Sequence, residues 1–201
     1  MKTDHLCNIV LLGGPGSGKG TQAGLIQEKY GLTHLSTGQL FRNEIASGSE
    51  IGRKAKEAID RGDFCSDEVT LDMVNKFMGS FHNPKGFIFD GVPRTLEQAK
   101  RMDGIQYSPA IPVDLVLNLL VEEDEIIKRI LKRAELEGRS DDTPEVVVKR
   151  IENYHVLTEP LIQYYKDQGK LFPVNGMQSI EHVFADIMPL IDTQLKMTEK
   201  V

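Results

Sequence analysis

The chain has 201 residues, with 24 Lys and Arg against 30 Asp and Glu, for a net charge of −6. That length allows one domain with inserted segments or two domains, and a substantial core either way. The acidic balance gives no electrostatic reason to expect nucleic acid or an anionic membrane as partner, no apolar run reaches a membrane span, and no signal-peptide pattern opens the chain.

The first apolar run, residues 8–12, reads as a buried strand, and Gly13-Gly14-Pro15-Gly16-Ser17-Gly18-Lys19-Gly20-Thr21-Gln22 follows it directly. The segment from Thr21 to Tyr30 has helical character. Strand, Gly-rich loop and helix together are the setting of a phosphate loop, and Gly13, Gly18 and Lys19 have its Walker A spacing. The glycines let backbone N–H groups converge on phosphate oxygens, and the helix N-terminus adds its positive dipole end. Lys19 then reaches the outer phosphates. Gly20 stands where many such loops carry a hydroxyl that touches Mg²⁺, with Thr21 next, which argues against an ordinary GTPase-type loop.

A weaker strand, residues 32–35, ends in the turn Ser36-Thr37-Gly38, with Arg42 just beyond. From 37 to 80 several helical patterns, punctuated by Gly48, Gly52 and Gly62, read as a helical flap inserted after that strand. The next run, residues 86–89, ends in Asp90-Gly91-Val92-Pro93-Arg94, and another strand is read at 113–117. Arg129 and Arg133 follow, four apart and so on one helix face. Residues 135–144 form a polar loop between two long helices, too short for a domain but long enough for a mobile cover. Thr143-Pro144 starts the second helix as N-cap and first-turn proline, and Pro160 should break or kink it. The last strand, residues 170–174, ends in Asn175-Gly176.

Strands alternating with helices predict a parallel α/β sheet covered on both faces. In such sheets ligands bind outside the carboxyl ends of the strands, which assigns the polar turns to one cleft. Arginines gather there: Arg42, Arg94, Arg129, Arg133, Arg139 in the polar loop, and Arg150 beyond it. Any one of them alone reads as a solvated surface residue, but their grouping around strand ends suits phosphoryl transfer. That chemistry needs positioning and charge neutralisation more than covalent catalysis, and arginine's planar fork matches phosphate oxygens.

No general base stands out. His5, His34, His82, His155 and His182 are scattered without evident partners, and a phosphate acceptor, unlike a hydroxyl, needs no base. Asp90 reads as a ligand of Mg²⁺-bound water, or as a turn cap. Asp141 and Asp142 either position the polar loop, through Arg139 or the metal's waters, or cap the helix that follows. Cys7 and Cys65 lack metal-ligand spacing and read as free thiols in a reducing compartment.

With these residues in view the chain resembles the adenylate kinase (nucleoside monophosphate kinase) family over nearly its whole length. The likeness rests on the motif at 13–22, Leu35-Ser36-Thr37-Gly38-Gln39-Leu40-Phe41-Arg42, Asp90-Gly91-Val92-Pro93-Arg94-Thr95 with Gln98, and Gly138-Arg139-Ser140-Asp141-Asp142 with Arg150. The resemblance implies a P-loop NTPase fold with a five-stranded parallel sheet and the reaction ATP + AMP giving two ADP. Mg²⁺ would come with ATP, bound through phosphates and water with Asp90 behind the water. It further implies a core of residues 1–35, 81–133 and 143–201, a monophosphate-binding insert at 36–65 and a lid at 134–142. The lid is of the short form, so no cysteine-ligated zinc is expected.

Carried over to this sequence, Gly16, Ser17, Gly18, Lys19, Gly20 and Thr21 would cradle the ATP phosphates. Arg129 and Arg133 would flank ATP, with the backbone of Gln178 near its adenine. Thr37 and Gln98 would face the monophosphate's adenine, Arg42 and Arg94 its phosphate, and Asp63, Phe64, Cys65, Gly91, Val92 and Pro93 would complete that pocket. Arg139 and Arg150 would clamp both nucleotides' phosphates on lid closure, and Lys19, Arg94, Arg133, Arg139, Arg150 and Asp90 would carry catalysis.

Three departures from the family pattern stand out. Gln39 replaces an acidic residue and loosens the network near the metal. Val92 replaces an aromatic, and Cys65 a small aliphatic, which implies sensitivity to thiol reagents. The rival readings are a UMP/CMP kinase, against which Thr37 and Gln98 argue, and a non-catalytic nucleotide-binding protein, against which the intact Lys19 and arginines argue. The resemblance implies a monomeric cytoplasmic enzyme whose partners are nucleotides.

Overall fold

The computed structural model describes residues 7–82, 84–104, 111–138 and 142–198. Strand β1 (Ile9–Leu12) leads into helix α1 (Lys19–Tyr30), and β2 (Thr33–Ser36) into α2 (Thr37–Ser47), α3 (Glu50–Asp60) and α4 (Asp67–Gly79). Then come β3 (Phe87–Asp90), α5 (Leu96–Met102), β4 (Leu115–Leu120), α6 (Glu123–Glu137) and α7 (Pro144–Asn153). After a π-helical turn (Tyr154–Thr158) the chain ends in α8 (Pro160–Asp167), β5 (Leu171–Asn175) and α9 (Ile180–Thr198).

The five strands form one parallel sheet in the order β2-β3-β1-β4-β5, the α/β fold that the alternating pattern predicts. Because side chains alternate along a strand, β1 serves two cores. Val10 and Leu12 join Phe87, Phe89 and Val116 under Leu71 and Val74 of α4, Ala99 and Met102 of α5, and Leu161 and Tyr165 of α8. Ile9 and Leu11 join Ile88, Leu115 and Leu117 under Ala23 and Ile26 of α1 and Val183, Ile187 and Ile191 of α9.

The helical insert carries a small core of its own, Phe41 and Ala55 against Met73 of α4. Helix α4 thus packs on both the sheet and the insert. Gly52 makes the crossing of α2 and α3 possible, since a Cβ there would lie 2.1 Å from the carbonyl oxygen of Glu44. Helix starts follow the sequence: Ser36, Ser49, Ser66, Thr95 and Thr143 each accept an N–H from the first turn of α2, α3, α4, α5 and α7.

Two expectations are refined. Strand β4 begins two residues later than 113 and runs on to Leu120, because Asn118, Leu119 and Leu120 pair with Pro173, Val174 and Asn175 of β5. Pro160 interrupts the α-helix as expected, but upstream of itself: α7 ends at Asn153 and α8 begins at Pro160. The preceding turn widens, with the N–H of Glu159 donating to the Tyr154 carbonyl at 2.8 Å, five residues back, so the chain passes a residue that has no N–H of its own.

Candidate active site

Helix α1 differs from the helices capped by Ser or Thr. Its N-cap is Gly18 in the left-handed region, with no side-chain cap and no acidic residue in the first turn. Those N–H groups are left to an outside acceptor, which favours an anion. The loop before it is glycine by necessity. A Cβ on Gly13 would meet Ser17 Oγ at 2.7 Å and the Leu119 carbonyl at 2.8 Å, and one on Gly16 (φ +76°) would meet Ile130 Cγ1 at 2.8 Å.

Lys19 Nζ donates to the carbonyls of Gly13 and Gly14, both at 2.7 Å. Burial lowers its pKa to about 8, with Asp90 opposing the fall and Arg94 and Arg133 adding to it. Asp90 stands at the end of β3 across from Gly20, its Oδ2 3.6 Å from where a Cβ on that glycine would lie. Burial works to raise its pKa, but the hydrogen bond with His34 and the charges of Lys19, His34 and Arg94 hold it below the ordinary carboxylate value. His34 Nε2 lies 3.3 Å from Asp90 Oδ2.

Arg94 donates from Nε to the Gly91 carbonyl at 2.9 Å and lays its guanidinium over the Phe64 ring, 4.8 Å from the centroid. Burial draws its pKa down, Asp90 partly restoring it and nearby Arg150 deepening the fall. Gly91 (φ +86°) admits this close packing, since a Cβ there would lie 2.6 Å from Thr37 Oγ1 and 2.9 Å from Arg94 Nη2. Buried Thr37 donates its hydroxyl to the Gly91 carbonyl at 3.0 Å. Gln98, also buried, accepts the N–H of Arg94 and donates to Asp67.

On the other wall, Arg133 and Arg150 share one carboxylate. Asp142, whose side chain is fully buried, accepts Arg133 Nε and Nη2, each at 2.8 Å, and Arg150 Nη1 at 2.6 Å. Arg129 donates to Glu125 at 2.8 Å and to the Gly176 carbonyl at 3.1 Å, which ties α6 to the end of β5. Gln178 donates from Nε2 to Asp186 at 2.7 Å and to the Asn175 carbonyl at 3.3 Å.

One cleft gathers these groups: the phosphate loop, Thr37, Arg42, Asp63, Phe64, Cys65, Asp90, Gly91, Pro93, Arg94, Gln98, Arg129, Arg133, Arg150 and Gln178 all line it. Val92 does not. Its side chain is in the core with Phe89 and Ala99, because an apolar side chain following Gly91 finds its burial under the sheet. Arg139 and Asp141 lie outside the described residues.

Several sequence readings need correction. Of the two readings of Asp142, the cap of α7 is excluded, since Thr143 takes that place; Asp142 pairs with two arginines. His34 and His155 do have partners, Asp90 for the first and Glu123 and Glu159, both at 2.9 Å, for the second. Gln39 turns to Arg42 and Asn43, accepting from Arg42 Nη2 at 3.0 Å, so at this position the arginine meets a neutral side chain rather than a charged one. Asp67, Asp142 and Thr158, whose hydroxyl donates to the Arg94 carbonyl at 2.9 Å, belong to the site's support, and no spacing rule marks them.

A protein-family model described as adenylate kinase matches residues 11–170. An adenylate kinase from Bacteroides thetaiotaomicron is 43% identical over 187 residues, 93% of this chain and 99% of the relative. One from Bacteroides fragilis is 43% identical over 188 residues, covering 94% and 100%. One from Xanthomonas campestris pv. campestris is 44% identical over 179 residues, covering 89% and 96%.

Proposed function

The chain belongs to the adenylate kinase family, and from that premise we propose how its cleft carries ATP:AMP phosphotransfer. The reaction moves the terminal phosphoryl group of ATP to AMP, reversibly, giving two ADP. The observation that carries the site assignment is the convergence of cations, among them Lys19, Arg42, Arg94, Arg129, Arg133 and Arg150, on one cleft in an acidic chain.

The free N–H groups of α1 and the loop from Gly16 to Thr21 take the ATP phosphates, with Lys19 on the transferred group. Arg42 and Arg94 hold the phosphate of AMP, the latter steadied by Gly91 and Phe64. Thr37 and Gln98 face its adenine, and the backbone at Asp63, Phe64 and Cys65 completes the pocket. Arg129 and Gln178 hold the ATP side. Arg133 and Arg150, presented together by Asp142, neutralise charge on the group in flight. The acceptor is a phosphate oxygen, so no side chain has to remove a proton.

Mg²⁺ accompanies ATP and lowers the charge that its phosphates present to the acceptor. The residues fit a metal bound through phosphates and waters: Asp90 is kept ionised and lines the cleft beside Gly20, and it would hold those waters. Residues 36–65 form the monophosphate flap and 134–142 the lid, with Arg139 brought in on closure to exclude water. The enzyme is a cytoplasmic monomer in this reading.

The test is diphosphate formation from MgATP with AMP, UMP, CMP or GMP as acceptor. AMP should be strongly preferred. Preference for UMP or CMP would overturn the reading of the base pocket as selective for adenine, and silence with all four would favour a nucleotide-binding protein without catalysis. Arg94→Ala should cut turnover at least a hundredfold with the melting curve intact; near-normal activity would refute the site.

A further inference from the structure

The side-chain amide of Gln98 is held by two neighbours that leave it one orientation. Asp67, the first residue of α4, offers a carboxylate that only accepts, and Gln98 Nε2 donates to its Oδ1 at 2.8 Å. The backbone N–H of Arg94 can only donate, and Gln98 Oε1 accepts it at 2.7 Å. Thr95 locks the carboxylate, donating its hydroxyl to the same Asp67 oxygen at 3.1 Å while accepting the N–H of Gln98 at 3.1 Å. Turning the amide over would replace two hydrogen bonds with N–H against N–H and carbonyl against carboxylate.

We propose that Asp67 is a specificity-determining positioning residue, which selects the acceptor base by fixing the Gln98 amide. The inference rests on the reading that Gln98 faces the base. With its two bonds made, Gln98 keeps one N–H and one carbonyl lone pair, their places set by Asp67 and Arg94. An acceptor base must then bring an exocyclic donor to Oε1 and a ring acceptor to Nε2. Adenine and cytosine present an amino group beside an unprotonated ring nitrogen. Uracil and guanine present a carbonyl beside a ring N–H, and both of their groups would meet a like group on Gln98.

This contact therefore sorts monophosphates by amino against keto base and not by ring size. Rejection of this kind is steep, because a mismatch leaves buried polar groups unpaired.

The test is kcat/KM for AMP, CMP, UMP and GMP at saturating MgATP, for the wild type, Asp67→Asn and Gln98→Leu, with melting curves for each. The Asp67→Asn side chain keeps the carboxylate's shape, but its amide can turn to donate, which removes one of the two penalties on a reversed Gln98. The AMP:UMP and AMP:GMP ratios should each fall about tenfold in Asp67→Asn. The AMP:CMP ratio should hold within about a factor of two. Ratios that stay unchanged, or that all fall alike as a merely structural defect would produce, overturn the proposal. The two readings separate through Gln98→Leu. If that variant alters no ratio, Gln98 does not face the base and the site reading fails; if it alters them while Asp67→Asn does not, only the orienting role fails.

Discussion

Removal of the Asp142 carboxylate is the sharpest perturbation this cleft offers. Its side chain is fully buried and accepts three bonds from two guanidiniums that are themselves only 26% and 18% exposed. Breaking a buried ion pair from one side costs about 3–5 kcal/mol, because charge is left uncompensated. Arg133 and Arg150 keep some water, so Asp142→Ala should cost roughly 2–4 kcal/mol. For a chain of this size that lowers the melting temperature by about 5–15 °C. A guanidinium carries five N–H groups and each arginine gives Asp142 only one or two, so the carboxylate positions both without occupying the whole fork. Loss of that positioning should reduce kcat at least a hundredfold while the KM for AMP changes little. Asp142→Asn, which retains one acceptor oxygen, should fall between. Thermal melts and initial rates measure both effects, and a variant that melts and turns over like the wild type would refute the account of how the two arginines are aimed.

Lys19 has a pKa near 8 in the free protein, and bound phosphates favour its charged form, so ATP binding at about pH 9 should take up a sizeable fraction of a proton. Calorimetry in buffers of different ionisation enthalpy reads that uptake directly, and none at pH 9 would contradict the assignment. Gly62→Ala should destabilise by roughly 1–2 kcal/mol, because the residue sits at φ +77° and its new Cβ would press on the Val146 carbonyl at 3.0 Å and Lys149 Cβ at 3.2 Å. With Asp63 displaced next to it, the KM for AMP should rise more than that for ATP. Cys65 has its thiol pKa raised, chiefly by burial and despite Arg94, so iodoacetamide at pH 7.5 should modify it slowly, and saturating AMP should slow it further. Equal rates with and without AMP would remove Cys65 from the pocket. Cys7, buried and pushed up to about 12, should stay unmodified until the protein unfolds.

What the sequence made legible was set by local rules. A strand, a loop in which Gly13 and Gly16 have no room for a Cβ, and an uncapped helix are consecutive, so their spacing alone reads as a phosphate site from Gly13 to Thr21. The sheet follows from alternation and the start of α7 from the Thr143-Pro144 pair, again within a few residues. Asp142, His34 and Asp67 escaped because their meaning lies in partners set by the tertiary fold. Asp67 meets Gln98 across 31 positions, and His34 meets Asp90 across 56. Near the polar loop, the sequence leaves Asp142 open between positioning the loop and capping α7; the cap is Thr143, as its place before Pro144 implies, and Asp142 pairs with Arg133 and Arg150.

The cleft also separates two kinds of polar group by what they have left to give. Thr37 has spent its hydroxyl hydrogen on the Gly91 carbonyl, and Gln98 has spent one donor and one acceptor on fixed neighbours. Both therefore show a ligand a defined face, and the groups assigned to the base are the rigid ones. The groups assigned to phosphate are different: Lys19 rests on two loop carbonyls that it can exchange for phosphate oxygens, and Arg133 and Arg150 commit only part of each guanidinium fork to Asp142. Base identity is a choice between like and unlike hydrogen-bond patterns, which a mobile amide would blur. Phosphate charge moves from donor to acceptor during the reaction, and it is followed by cations whose donors are not all committed to one protein partner. Rigid readers and exchangeable cations in one cleft are what a selective phosphoryl transfer between two nucleotides requires.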